Sequence, residues 1–372
     1  MMNICFFIGD IGLTGGTERI TSVIANELDK LNNNIYILSL KNNNKSFFYL
    51  NKNITTKKIF SSSKYGKLRL PLAIWKIRQF IIQNNIDIFI SVESMLSLYS
   101  IPASIGLNVR NICWEHFNFN VNLGKRSRDF ARKLAAYYAN DIITLTKHDK
   151  NLWLNNLNCK ANIVTINNPI TIKHDQENYI PMGNKKEKIF LAVGRLTYQK
   201  GFDLLLEAWG IISSKYPDWK LNIIGDGEDK LLLNKLIQQK KISNSVSILP
   251  PTKNIQDHYE KSAYYILSSR FEGFGLVILE AQSKGLPVIS FDCETGPNEI
   301  IIDKKTGWLC ENSNIEDLSK KIIKAIELFN SDKKKYINIS NNAMINSKKF
   351  SIENIIPKWI TLLNIESNKN EK

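Results

Sequence analysis

Short apolar runs alternate with longer amphipathic stretches along most of this chain of 372 residues. Runs of four to seven apolar residues bounded by polar or glycine-containing segments predict buried strands, and repeats of apolar residues at three and four predict helices. Strands are expected at 4–8, 35–40, 86–92, 111–114, 141–146 and 162–166, with helices at about 17–31, 70–84, 127–139 and 147–156. The alternation then restarts. Strands are expected at 188–193, 220–224, 245–249, 264–268, 287–291 and 307–310, with helices at about 202–215, 228–241, 275–285, 315–329 and 333–347. Between the halves runs a polar stretch, 171–187, with Pro169 just before it and Pro181 and Gly183 within it, a composition that suits a linker. This predicts α/β architecture: two doubly wound domains in tandem, 1–170 and 188–350, facing each other across a cleft, with ligands beyond the carboxyl ends of the strands. Ile352, Ile355, Ile356, Trp359, Ile360 and Leu363 mark one more amphipathic helix in 351–372, expected to pack back on the first domain. Pro357 would kink it or mark its first turn. The last residues, 367–372, read as a disordered tail.

Four turns between predicted strands and helices carry candidate chemistry. Gly9-Asp10-Ile11-Gly12-Leu13-Thr14-Gly15-Gly16-Thr17-Glu18-Arg19 follows the first strand and opens the first helix. Its glycines allow close approach of a ligand to the backbone. Their spacing is neither GxGxxG nor that of a P-loop, so a plain tight turn explains them equally well. Gly194-Arg195-Leu196-Thr197-Tyr198-Gln199-Lys200-Gly201 opens the second domain with two cations in six residues, placed to clamp a diphosphate. Ile224-Gly225-Asp226-Gly227-Glu228 follows the next strand and is weak on its own. The most informative segment is Ser268-Ser269-Arg270-Phe271-Glu272-Gly273-Phe274-Gly275-Leu276-Val277-Ile278-Leu279-Glu280-Ala281. Glu280 lies in an otherwise apolar helix, where a carboxylate is costly without a partner or a ligand. Amides at 274–276 open that helix and favour an anion. The two carboxylates, Glu272 and Glu280, can hold the hydroxyls of a sugar and a ribose, or Glu280 pairs with a buried base.

Glu272 and Glu280 with Gly273-Phe274-Gly275, Arg195 with Lys200, and Gly15-Gly16-Thr17-Glu18-Arg19 together resemble the retaining glycosyltransferases of family 4. Gly285-Leu286-Pro287-Val288-Ile289-Ser290-Phe291-Asp292 and Gly296-Pro297-Asn298-Glu299-Ile300-Ile301 are similar to bacterial members that build lipopolysaccharide, capsule or lipid-linked oligosaccharides. The resemblance runs over nearly the whole chain, is most specific in 190–310 and is loose in 40–110. It implies the fold with two Rossmann-like domains called GT-B. It also implies a nucleotide-diphosphate sugar as co-substrate, UDP-linked by analogy, with no metal and no other cofactor. Glu272 would bind the donor sugar, amides near Phe274, Gly275 and Leu276 the sugar and diphosphate, and Glu280 the ribose. Arg195 and Lys200 would neutralise the departing diphosphate beside Gly194 and Gly225. Gly15 and Gly16 would line the opposite side of the cleft. His116, in Trp114-Glu115-His116, resembles the family's sugar-contacting histidine; without the resemblance a satisfied structural histidine would be the commoner explanation. The other expectation is a hexose or N-acetylhexosamine transferred to a lipid-linked saccharide acceptor.

Composition changes this picture little, but charge adds to it. With 43% hydrophobic, 10% aromatic and 23% charged residues, the chain is not a disordered one. The net charge of +15 is uneven: residues 1–180 hold 22 Lys and Arg against 12 Asp and Glu, and no acidic residue lies between Asp29 and Asp87. Such a field attracts anionic partners, although an Asn-, Lys- and Ile-rich composition also follows from an AT-rich genome. Lys125-Arg126-Ser127-Arg128-Asp129-Phe130-Ala131-Arg132-Lys133 reads as a basic amphipathic helix suited to an anionic leaflet, with Phe117 and Phe119 upstream as candidates for insertion. No stretch approaches the roughly 20 apolar residues of a membrane span, and no signal peptide is expected. Five dispersed cysteines, Cys5, Cys113, Cys159, Cys293 and Cys310, read as reduced thiols. The protein is therefore expected in the cytoplasm, peripheral on the inner face of the cell membrane. No helix-turn-helix, RNP or zinc pattern supports a nucleic-acid partner. A sugar-nucleotide epimerase or a phosphorylase on a similar fold, or a catalytically dead scaffold, is the competing reading.

Overall fold

The structure, a computed structural model, describes residues 1–41, 45–61, 69–172, 186–252 and 254–365. The chain divides into two compact units, Met1–Thr171 with Ile352–Lys372, and Ile172–Ser351. Most of the predicted linker and the tail 367–372 lie outside the described residues.

The first unit runs β1 (Asn3–Ile8), α1 (Gly16–Asp29), β2 (Asn34–Lys41), β3 (Thr55–Phe60), α2 (Arg69–Gln83), β4 (Ile88–Val92), α3 (Ser97–Ser104), β5 (Arg110–Trp114), α4 (Arg126–Tyr138), β6 (Asp141–Thr144), α5 (Lys147–Asn156) and β7 (Asn162–Thr165). Its strands form one sheet in the order β3-β2-β1-β4-β5-β6-β7, parallel throughout. All five residues of β4 are buried, as expected of a strand covered by helices on both faces. The order reverses direction between β1 and β4.

The second unit runs β8 (Glu187–Val193), α6 (Phe202–Ile212), β9 (Lys220–Ile224), α7 (Lys230–Gln239), β10 (Val246–Leu249), α8 (Ile255–Lys261), β11 (Ser262–Leu267), α9 (Leu276–Ser283), β12 (Val288–Phe291), α10 (Pro297–Ile300), β13 (Gly307–Cys310), α11 (Ile315–Ser331) and α12 (Lys333–Ser347). Its parallel sheet has the order β10-β9-β8-β11-β12-β13 and reverses between β8 and β11. The core of this unit centres on Phe190, Trp219 and Tyr264, all buried. Phe190 and Tyr264 are stacked with ring centres 5.2 Å apart. α11 shows why such segments become helices. Asn314 caps it by accepting from the amide of Asp317 at 3.0 Å, and Leu318, Ile322, Ala325, Ile326 and Phe329 form its buried stripe.

The chain then forms α13 (Ile352–Leu363), which contains Pro357 and belongs to the first unit. Trp359 is 1% exposed, with its ring 4.7 Å from Trp114 and 6.4 Å from Phe6. Four elements are missing from the sequence reading, among them α10, a single turn of four residues. β3 carries Lys57 and Lys58 and buries Ile59 alone. α3 contains Pro102, and α8 is only seven residues long. None has the apolar period that announces an element. Among the described residues no helix is long and apolar enough to cross a membrane, and all five cysteines are free.

Candidate active site

The reversal between β8 and β11 places three strand-to-helix turns side by side: those after β8, β9 and β11. Open α/β sheets bind ligands at such a switch point, beyond the carboxyl ends of the strands. Gly225 is required there by space, since a Cβ on it would lie 1.9 Å from the carbonyl oxygen of Gly194. The stem of Lys200 lies along Gly194. Its ammonium is 2.6 Å from Glu272 Oε1, with the two side chains 16% and 8% exposed. The cation expected at the diphosphate and the carboxylate expected at the sugar are thus bound to each other. Arg195 is exposed on the same turn.

Glu272 is held from several sides. Ser269 Oγ donates to its Oε1 at 2.7 Å, and Thr295 Oγ1 donates to its backbone carbonyl. Gly296, at φ 102°, lies so close that a Cβ there would come 2.3 Å from the carbonyl oxygen of Phe274. The segment 293–296 is therefore a backstop for the turn Glu272-Gly273-Phe274-Gly275. Phe274 is buried against Phe350 at 5.9 Å, and Gly275 caps α9, of which Leu276 is the first residue. The neighbouring Arg270 braces the turn: its guanidinium bonds both oxygens of Asp203 at 2.9 and 2.6 Å and lies 4.0 Å over the ring of Tyr198. Glu280 is 6% exposed, and its Oε2 accepts from Tyr259 Oη at 3.1 Å. Ser269, Thr295 and Tyr259 have no pattern of their own in the sequence; only the packing shows that they fix the two glutamates.

In the first unit the turn after β1 places Gly15 as the cap of α1 and Gly16 as its first residue. His116 lies in the turn after β5, its ring 4.5 Å from that of Trp114. Its Nε2 is buried without a hydrogen-bond partner. Burial pushes this imidazole down to about 4 against the opposing pull of Glu115, so it is neutral at physiological pH. Glu115 holds the turn: its Oε1 accepts the amides of His116 and Phe117 at 3.0 and 3.1 Å, and its Oε2 lies 3.3 Å from Arg132 Nε. Arg132 in turn donates to the carbonyls of Asn118, Phe119 and Val121.

These contacts correct the reading of the basic helix. Arg128 and Arg132 point inward and are buried, paired with Glu93 and Glu115. Phe117 lies under Arg128 at 4.3 Å and Phe119 packs on Trp153 at 5.5 Å, so neither is free to enter a bilayer. The exposed aromatics are instead Phe130, Tyr137 and Tyr138. Among the described residues no three of His, Cys, Asp and Glu are gathered as metal ligands.

Comparison with known proteins agrees with this architecture. Residues 14–174 match the model of Glycosyltransferase Family 4, and residues 175–344 match Glycosyl transferases group 1. An uncharacterized glycosyltransferase of Haemophilus influenzae is 33% identical over 98% of this chain and 100% of its own length. This chain belongs to the family 4 glycosyltransferases. The amylovoran biosynthesis glycosyltransferase of Erwinia amylovora is 29% identical over 98% of this chain and 100% of its own. Among solved structures, Anabaena HepE in complex with UDP and glucose has a TM-score of 0.80 at 18% identity, covering 98% of this chain and 100% of that one. Membership makes this protein a transferase with two Rossmann-like units of the GT-B type.

Proposed function

We propose that this glycosyltransferase acts with retention and without a metal ion. It moves a hexose or N-acetylhexosamine from a UDP-sugar to a lipid-linked glycan in the building of a cell-surface polysaccharide or lipopolysaccharide. The observation that carries the reading is the Lys200–Glu272 pair at the β8/β11 switch point. A donor entering there trades one ionic partner for two. The diphosphate takes the ammonium of Lys200, with Arg195 and the first amides of α9 beside it. The sugar hydroxyls take the carboxylate of Glu272, while Glu280, oriented by Tyr259, meets the ribose. As the bond between the sugar carbon and the diphosphate breaks, its electron pair goes to UDP. Fixed cations and amides stabilise that charge in place of a metal. The new bond forms to the acceptor hydroxyl, whose proton leaves. UDP and glucose in the HepE structure support the donor class, and the amylovoran relative supports the polysaccharide setting. Retention follows from family resemblance.

The outer face of α4 suits an acceptor carried by a membrane. Arg126, Phe130, Lys133, Tyr137 and Tyr138 are exposed along it, and Lys160 lies 3.8 Å over the ring of Tyr137. Basic and aromatic side chains on one face are the composition of a surface that lies on an anionic leaflet. The protein is accordingly peripheral, on the cytoplasmic side of the cell membrane. The test is a thermal-shift panel of sugar nucleotides, then transfer of radiolabelled sugar from the stabilising donor to a membrane lipid extract. Sedimentation with phosphatidylglycerol vesicles at low and high salt accompanies it. Stabilisation by a UDP-sugar, label in the lipid phase and salt-sensitive sedimentation are expected. Stabilisation only by other nucleotides, or label only in free sugar, refutes the donor or the acceptor assignment.

A further inference from the structure

The sheet of the first unit also has a switch point, between β1 and β4, where ligands of such sheets bind. The turn after β1 carries Gly15 and Gly16. The first residue after β4 is Glu93, whose backbone is unusual: φ is 92° and ψ 147°. That region is occupied essentially by glycine, and another residue there costs about 1–3 kcal/mol. The strain is held by two backbone hydrogen bonds. The amide of Glu93 donates to the Trp114 carbonyl at 2.8 Å, and its carbonyl accepts from Leu96 at 3.2 Å. Strain of this kind persists where the surroundings over-determine it, and it clusters at ligand sites.

The side chain so presented is a carboxylate 27% exposed, with Oε2 3.3 Å from the guanidinium of Arg128. Burial raises its pKa, against the opposing pull of Arg128 and with a further push from Glu115. The segments that adjoin Glu93 in the chain or pair with it hold unused hydrogen-bonding capacity. Ser94 Oγ, Trp114 Nε1, His116 Nε2 and Arg128 Nε are buried and have no partner in the described chain. Folded proteins leave few such groups, and each calls for an explanation. Here four sit on segments that touch or flank one reachable carboxylate. An ion pair with Arg128 alone would need neither the positive φ nor the exposure.

We propose that Glu93 accepts a hydrogen bond from a hydroxyl of the saccharide acceptor. The acceptor then sits at the β1/β4 switch point beside His116. The inference rests on the saccharide-acceptor reading above. A carboxylate suits this role because a sugar hydroxyl bound to it donates its proton and turns its lone pairs elsewhere. The position also accords with the acidic character of this end of the sheet: Val92 pairs with Trp114 as the last residues of β4 and β5, and Glu93 and Glu115 follow them.

The experiment measures transfer from radiolabelled UDP-hexoses to three probes: the octyl glycosides of glucose, galactose and N-acetylglucosamine. Glu93→Gln is expected to raise the acceptor KM ten-fold or more, while the Kd for UDP stays within two-fold. Because the glutamine also loses the charge facing Arg128, the double variant Glu93→Gln/Arg128→Met is made in parallel. It removes both charges and is expected not to recover transfer. An unchanged acceptor KM in Glu93→Gln overturns the assignment. So does recovery in the double variant, which would mean that Glu93 only neutralises Arg128, or a parallel loss of UDP affinity. If the wild-type enzyme releases UDP but glycosylates none of the three probes, the saccharide-acceptor reading itself fails and the role of Glu93 with it.

Discussion

Replacing Lys200 by alanine removes one half of a pair only 2.6 Å apart, its partner Glu272 being 8% exposed. Glu272 keeps the Ser269 hydroxyl on the same oxygen, but the carboxylate loses its counter-charge. Removing one partner of a buried pair costs about 3–5 kcal/mol. The retained hydroxyl and the partial exposure of Lys200 put the cost near the lower end, about 3 kcal/mol. For a unit of this size that lowers the Tm by roughly 6–12 °C. The effect on transfer has a different origin. Losing one preorganised charge at the leaving group costs about 3 kcal/mol of barrier, roughly a hundred-fold in rate. Glu272→Gln separates the two effects, since it keeps the shape of the pair and releases the ammonium from competition with a carboxylate. Calorimetric titration with UDP alone excludes all contacts to the sugar. Lys200→Ala is expected to weaken UDP ten-fold or more, and Glu272→Gln to leave it unchanged or tighten it. If both variants weaken UDP alike, the pair is a structural brace. If Lys200→Ala binds UDP as the wild type does, the clamp is elsewhere.

Two further expectations follow from other parts of the fold. Trp359→Ala empties a buried site against Trp114 and Phe6 and should cost about 3–5 kcal/mol in chemical denaturation of the first unit; a loss below about 1 kcal/mol would contradict the packing of α13. His116 has a folded pKa of about 4 against 6.5. A depressed value means that its contribution is fully present above pH 6.5 and is lost as the pH falls from 6.5 to 4. At about 1.4 kcal/mol per pH unit, wild type should lose about 2 kcal/mol from this group by pH 5 that His116→Asn does not lose. Parallel stability profiles of the two proteins would show that the histidine is not buried neutral.

What the sequence made legible depends on the kind of signal each residue carries. β4 and β11 each carry a single serine among apolar residues and are buried at every position, so the hydrophobic run identifies them. Glu280 was legible by conflict, a carboxylate among Val277, Ile278, Leu279 and Ala281, and it is indeed buried with a hydroxyl partner. β3 was not legible because two consecutive exposed lysines precede its one buried residue, Ile59, and periodicity cannot distinguish such an edge strand from a polar loop. The basic helix shows the complementary failure. Lys125, Arg126, Arg128, Arg132 and Lys133 read as one cationic face, but Arg128 and Arg132 fall on the inner stripe with Ala131 and Ala135, where Glu93 and Glu115 meet them. Those glutamates lie 35 and 17 residues away along the chain. Partners this distant are invisible to any local pattern. The positive φ of Glu93 has no local signal either, and the amide of Glu93 is bonded to Trp114, 21 residues further along the chain. Residues that contact a ligand through the backbone or through a glycine turn are therefore the part of such a site that a sequence announces. The residues that orient them, Tyr259, Ser269, Thr295 and Glu115, emerge only once the sheet has brought the turns together.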